Sequence, residues 1–335
     1  METQGRQTVV ITGASAGIGR AIALAFAREG ARIGLIARGI EKLESTRREV
    51  EAAGGQALVL PVDVADAEQV DAAARAVEAA FGPIDVWLNN AVTSVFSPAM
   101  GMTAADYRRV TDVTYLGAVH GTLAALRSMQ PRDAGMIIQV GSALAYRSIP
   151  LQSAYCGAKA AIRGFTDSLR SELLHDGSNV RITMLVLPAV NTPQFTWVRN
   201  RLPRQPRPLG GPIYAPEVIA RAVLWVASRE HPPRELTIGR PALLAVLGQK
   251  VAPGLVDRYL ARVGYEGQQT GNAERPGRAD NLYEPGPGDP GADGPFVDEA
   301  TNRSPQLWIR THATQLALGI AGAGAAAGGL AARRS

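Results

Sequence analysis

The segment TVVITGASAGIG, residues 8–19, decides how the chain is read. Residues Thr8 to Thr12 favour extended structure and run into Gly13, Gly17 and Gly19, a G-x-x-x-G-x-G spacing. A helical pattern follows, with Ile22 and Phe26 four apart and Gly30 as its stop. Glycines suit such a strand-to-helix turn because Cβ atoms would block both the tight turn and the approach of a pyrophosphate to the backbone. The helix N-terminus then offers unpaired N–H groups and a partial positive charge to phosphates. A glycine triplet alone is weak evidence; its place at the first strand-to-helix turn of an alternating chain gives it force.

Outward from that turn the alternation continues. Apolar runs at 31–38, 57–64, 85–92, 135–142 and 180–188 read as strands, and stretches at 40–54, 67–81, 104–129 and 153–175 read as helices. Strands alternating with helices specify an α/β fold: a doubly wound parallel sheet with helices on both faces. Near-continuous apolarity in the strands fits a sheet covered on both sides. The pattern holds over residues 1–240. A helical extension follows at 241–263, broken by Pro253 and Gly254, then a Pro/Gly-rich linker or loosely held arm at 264–304 and an Ala/Gly-rich C-terminal helix at 305–335.

Composition narrows the function classes. A net charge of +5 over 335 residues, without a Lys/Arg run, excludes a nucleic-acid-binding footprint. The single cysteine, Cys156, excludes an internal disulfide and a multi-cysteine metal site, four scattered histidines suggest no metal, and Cys156 itself reads as a buried filler. The N-terminus carries no basic n-region or cleavage site, so a reducing, cytoplasmic setting is expected.

Two further features carry chemistry. At the end of the second strand stands Ala37-Arg38, with no acid before Glu41. A free ribose 2′-OH is ordinarily held there by an acid, whereas a 2′-phosphate needs a cation, so Arg38 favours NADP(H) over NAD(H). The chain has three lysines among 35 basic residues, and one of them, Lys159, stands four residues after Tyr155. That spacing puts both on one helix face. A nearby ammonium favours phenolate and is expected to lower the tyrosine pKa from its usual value near 10. Ser142, ending the 135–142 strand, sits where open α/β sheets bind ligands and supplies a donor for a substrate oxygen.

The ordered set resembles the short-chain dehydrogenase/reductase family, as a diverged subgroup with a C-terminal extension. It comprises Thr12 to Gly19, Asp63-Val64, Asn89-Asn90-Ala91, Ser142 and Tyr155-x-x-x-Lys159, covering roughly residues 8–240. The resemblance implies a Rossmann-like NADP(H)-dependent oxidoreductase that interconverts a carbonyl and an alcohol. It implies Tyr155 as acid/base, Lys159 as its tuner and a ribose ligand, and Ser142 as the group orienting the carbonyl. Cofactor contacts are implied for Gly13, Ser15, Gly17, Ile18, Gly19, Arg38, Asp63, Val64, Asn90, Tyr155, Lys159, Val190 and Thr192, and a homo-oligomer is the family's usual state. The alternative is a catalytically silent NADP(H)-binding regulator or scaffold, which typically lacks the tyrosine or the lysine.

Three positions depart from the family pattern: Thr114 stands where a catalytic asparagine is expected, Val92 follows Asn89-Asn90-Ala91, and Leu187-Pro188 replaces Pro-Gly. The loop after Thr192 carries Arg199, Arg201, Arg204 and Arg207 and no acid; it reads either as selecting an anionic substrate or as a solvated, mobile lid. Residues 311–332 hold no charge and would span roughly 33 Å as a helix. They read either as a membrane contact or as a loosely structured or surface-packed helix.

Overall fold

The computed structural model of the protein describes residues 6–313. Seven strands make the central sheet: β1 (Thr8–Thr12), β2 (Arg32–Ala37), β3 (Gln56–Pro61), β4 (Val86–Asn89), β5 (Gly135–Val140), β6 (Val180–Val186) and β7 (Glu235–Thr237). All pairings are parallel, in the order β7-β6-β5-β4-β1-β2-β3. β1 is central, with Val9 opposite Ile33 on one side and Val86 on the other. Its five residues are all buried, as are the six of β5, which accounts for their unbroken apolarity.

The connecting helices are α1 (Gly17–Arg28), α2 (Ile40–Ala52), α3 (Ala67–Phe81), α4 (Ala104–Thr111), α5 (Gly117–Met129), α6 (Ser153–His175) and α7 (Pro216–Ala227). One core layer joins Ile22 and Phe26 of α1 to Leu43 of α2 and Ile219 and Val223 of α7. A second layer, across the sheet, joins Val77 of α3, Leu126 and Met129 of α5, and Leu169 and Leu173 of α6 around Trp87. The Trp87 indole N–H donates to Asn89 Oδ1 at 2.9 Å, so its polar end is not left unpaired in the core.

The sequence predicts one helix over 104–129. Two helices form instead, joined by a π-helical turn at Asp112–Leu116. Such turns insert one residue into the hydrogen-bond ladder and re-aim the side chains around them. The start of α4 is fixed by a capping box in which Thr103 and Asp106 satisfy each other's backbone N–H groups.

Beyond β7 come α8 (Arg240–Val251) and α9 (Pro253–Val263). Residues 264–304, expected to be a linker or loose arm, lie along the sheet domain. Gln269–Ala273 pairs antiparallel with Arg204–Pro206, and Ala300–Thr301 pairs with Ile213–Tyr214. With few apolar side chains of its own, this arm is held chiefly by its backbone carbonyls and carboxylates, which meet arginines of the domain and Lys42. A last helix, α10 (Pro305–Thr311), buries Leu307. From residue 314 the apolar tail lies outside the described residues, and with it the expected membrane contact; among the described residues no helix is long and apolar enough to cross a membrane.

Candidate active site

The strand order reverses between β1 and β4, and ligands of open α/β sheets lie in the crevice at that point. A cavity of about 700 Å³ opens there. The glycine turn forms its floor. Gly13 and Gly17 have φ of +68° and +58°, in the left-handed region that favours glycine. At Gly19 a Cβ would stand 2.2 Å from the Gly13 carbonyl oxygen, so the helix can start this close to the strand only without a side chain. Asn90 secures the turn from β4: its amide Nδ2 donates to the carbonyls of Thr12 (2.9 Å) and Gly13 (3.2 Å).

Among the residues expected to contact cofactor, Gly13, Ser15, Gly17, Ile18, Arg38, Asp63, Val64, Asn90, Tyr155, Lys159, Val190 and Thr192 all line the cavity. Gly19 lies behind the turn and acts through packing. The glycine floor and the length of the lined cleft fit an extended dinucleotide. Arg38 stands at the end of β2, as expected, but four of its contacts are with the arm: its two terminal nitrogens donate to the carbonyls of Asn281 (2.6 Å), Leu282 (3.4 Å), Tyr283 and Glu284 (3.3 Å). Asp63 pairs with Arg109 of α4.

Ser142, Tyr155 and Lys159 converge on the wall opposite. Ser142 starts the turn after β5, Tyr155 and Lys159 lie one helical turn apart in the first part of α6, and all three face the cavity. The Lys159 ammonium donates to the Val140 carbonyl at 2.6 Å and lies 5.7 Å from the centre of the Tyr155 ring. Burial brings Lys159 down to about 8. The sequence argument expects the ammonium to lower the tyrosine pKa, and the structure corrects this. Burial, the largest influence, pushes Tyr155 up, and the hydrogen bond from Ser142 opposes it only in part. Desolvation outweighs the cation because the ammonium is itself buried and directed at a carbonyl. The resting side chain is therefore a neutral phenol.

Thr114, within the π-helical turn, is buried and turned elsewhere. Its hydroxyl donates to the Thr93 carbonyl at 3.0 Å and accepts from the Thr93 N–H at 3.2 Å, so it ties down the loop after β4. Cys156 is buried, and burial pushes its thiol up, leaving it an inert core group.

Much of the rest of the cavity is apolar in its lining, with Arg147 and Gln152 also present. Phe96, Leu144, Ile149, Phe195, Leu209 and Val256 line it. Leu244 and Tyr259, from α8 and α9, border it and are largely exposed, so its rim is apolar as well. The four arginines of the 193–214 loop are each paired. Arg199 meets Asp106 and Asp280, Arg201 meets Asp106, Arg204 meets Glu266 and Arg207 meets Glu299. This corrects the first sequence reading of that loop, since each arginine already meets a carboxylate and is not offered to an anion, while the Arg204 side chain remains 52% exposed. Sequence reasoning did not foresee Lys42 or arm residues Asn281, Pro285 and Gly286 at the cleft, nor Arg109 behind Asp63. The cue available was the accumulation of acids in an arm whose sheet domain is rich in arginine.

A sequence-family model described as short chain dehydrogenase matches residues 7–202. The chain is 35% identical over 308 residues to the uncharacterized oxidoreductase YxnA of Bacillus subtilis, covering 91% of this chain and 83% of that one. An alcohol dehydrogenase from the archaeon Thermococcus sibiricus, complexed with 5-hydroxy-NADP, superposes with a TM-score of 0.60 at 28% identity, over 70% of this chain and 96% of that one. A metagenomic short-chain oxidoreductase in complex with NADP gives a TM-score of 0.59 at 28% identity, over 70% of this chain and 97% of that one.

Proposed function

The chain belongs to the short-chain dehydrogenase family, whose members are oxidoreductases acting with NAD(P), and from that premise we propose that it interconverts a predominantly apolar ketone or aldehyde and the corresponding alcohol, with NADP(H). The observation that carries this reading is the convergence of Ser142, Tyr155 and Lys159 on one wall of a cavity whose floor is the glycine turn. NADP(H) is favoured by the absence of an acid at the end of β2, where one would serve NAD(H), and by the NADP-type ligands of two structural neighbours; the terminal N–H groups of Arg38 are taken by arm carbonyls.

When bound, the dinucleotide supplies or accepts the hydride. The chain's residues handle the oxygen and its proton. Ser142 donates a hydrogen bond to the carbonyl oxygen and holds it against Tyr155. As negative charge gathers on that oxygen, the phenol of Tyr155 gives it a proton, and the Lys159 ammonium offsets the charge left on the tyrosine. In the reverse direction Tyr155 takes the alcohol proton. A tyrosine kept neutral by burial is suited to the donating role, so carbonyl reduction is the direction these side chains serve at neutral pH.

The pH dependence follows from the two groups. Tyr155 stays protonated throughout the neutral range, because burial raises it, while Lys159 loses its proton near pH 8. Reduction needs the phenol and the ammonium together. Its kcat/KM is therefore level below about pH 7.5 and falls as pH rises through about 8. A profile that climbs through that interval contradicts the assignment.

The functional test is a screen of aldehydes, ketones and secondary alcohols with NADPH or NADP⁺, followed by absorbance of the reduced cofactor. Within a series of 2-alkanones, kcat/KM is expected to rise about threefold to fourfold per added methylene until the apolar part of the cavity is filled, each methylene being worth roughly 0.8 kcal/mol. Keto acids of equal length gain nothing over the ketones, because the loop arginines are already paired. A preference for short or anionic substrates overturns the substrate class. Bound nucleotide without turnover of any compound favours the silent regulator.

A further inference from the structure

Residues 278–296 close a circuit around the dinucleotide cleft. The segment is anchored beside the substrate loop, where Arg278 donates to the Val198 carbonyl (2.8 Å) and the Asn281 N–H donates to the Trp197 carbonyl (2.9 Å). It then crosses to the end of β2. There the carbonyls of residues 281–284 receive the Arg38 guanidinium, Leu282 is fully buried and also accepts from Arg109 (2.9 Å), and the Gly286 carbonyl receives Lys42.

From there it runs over α1 and α2. Asp289 pairs with Arg20, whose side chain is 3% exposed, and the Gly291 carbonyl accepts the N–H of Gly17 at 3.1 Å. It returns to the substrate side at Phe296, whose N–H donates to Asn191 Oδ1 (2.9 Å) and whose ring meets Phe195 edge-on at 5.6 Å. Asn281, Pro285 and Gly286 line the same cavity as the glycine turn.

We propose that this segment is a strap forming the outer wall of the dinucleotide site, so that cofactor enters and leaves only when the strap lifts from Arg38, Lys42 and Arg20. The inference rests on the dinucleotide reading of the cleft. Residues 281–286 border the cleft and Gly291 meets the glycine turn at Gly17, so a dinucleotide lying along that turn lies between these two contacts. The contacts at the lifting stretch are suited to reversible opening. That stretch is residues 283–291, held by hydrogen bonds and an ion pair that water can replace, whereas the apolar anchors, Leu282 and Phe296, lie on either side of it. Gly17 spends its N–H on the strap, while the next helical amide, of Ile18, meets no backbone acceptor among the described residues and remains for phosphate. Strap and cofactor thus use different parts of one helix N-terminus.

The geometry supplies its own lock. A Cβ built on Gly39 lies 3.3 Å from the Pro285 Cβ, close to the roughly 3.5–4.5 Å between the β-carbons of a disulfide. The full-length double variant Gly39→Cys/Pro285→Cys, loaded with NADPH, is oxidised, and dissociation is followed by nucleotide fluorescence after adding excess NADP⁺. Native Cys156 is buried and does not compete. Oxidation is expected to slow dissociation at least about tenfold, and reduction to restore it. Asp289→Ala, which frees the strap from Arg20, is expected to speed dissociation several-fold. In the wild type, saturating cofactor is expected to slow hydrogen exchange of the amides of 281–291.

Equal dissociation from oxidised and reduced protein, with the bridge confirmed by mass spectrometry, overturns the strap. So does a folded double variant that forms no bridge, or wild-type exchange at 281–291 that ignores the cofactor. A protein that binds nicotinamide nucleotide in this strap-dependent way yet turns over no carbonyl or alcohol refutes the proposed reaction and leaves the strap standing. A protein that binds no such nucleotide refutes both.

Discussion

Tyr155→Phe lowers kcat for carbonyl reduction by about a thousandfold while cofactor still binds, general acid catalysis by a positioned side chain being worth roughly 10²–10⁴. The substitution removes one oxygen from a ring packed in the first turn of α6, so the wall keeps its shape and the proton donor alone is lost. Steady-state rates beside a fluorescence titration with NADPH separate the two effects. Ser142→Ala is milder, about a hundredfold, because one donor to the developing charge is lost while the proton source stays. A Tyr155→Phe enzyme with undiminished turnover requires a different acid, and no other residue lining the cavity combines a phenol with a neighbouring ammonium.

The second large effect is on stability and arises away from the chemistry. Asp106 is 1% exposed, and its carboxylate meets Arg199 (3.2 Å), Arg201 (2.6 Å) and the hydroxyl and N–H of Thr103. Burial pushes its pKa up, but the Thr103 amide, Arg201, the Thr103 hydroxyl and Arg199 together outweigh it and hold the group at about 2, below its model-peptide value of 3.8. Asp106→Ala leaves Arg201 without its carboxylate and Arg199 with Asp280 alone, and it removes the acceptor for the Thr103 N–H at the start of α4. The expected cost is about 3 kcal/mol or more, the range for breaking a buried ion pair from one side, and denaturant unfolding measures it. Because the folded-state pKa is depressed, the carboxylate's contribution is complete above about pH 4 and is lost as pH falls towards 2. Wild type and variant therefore converge in stability on acidification. A gap that widens in acid refutes the assignment.

What the sequence made legible follows from how local each cause is. The glycine turn, the alternating runs and the Tyr155/Lys159 spacing are encoded within a few residues of one another, so fold and catalytic wall could be read before any coordinates. The tyrosine's pKa could not. Its direction depends on how much water reaches the phenol and on whether Lys159 points at it or at Val140, both tertiary facts. The loop arginines misled for the same reason: their acids, Asp106, Glu266, Asp280 and Glu299, lie from tens to nearly a hundred residues away, invisible to any window. The π-helical turn that places Thr114 on Thr93 leaves no mark in the apolar periodicity of 104–129. Residues 264–304 look like a linker because Gly and Pro dominate them, yet hydrogen bonding through backbone carbonyls needs no particular side chain.

The pairing of the loop arginines has a consequence for how this protein can be handled. Three of the four acids that neutralise the substrate loop come from the C-terminal arm, outside the residues the family model covers. The arm is thus a built-in counterion for the lid. Removing the arm alone would strip Arg204 and Arg207 of their acids and leave Arg199 to share Asp106 with Arg201, giving the substrate loop an excess of positive charge.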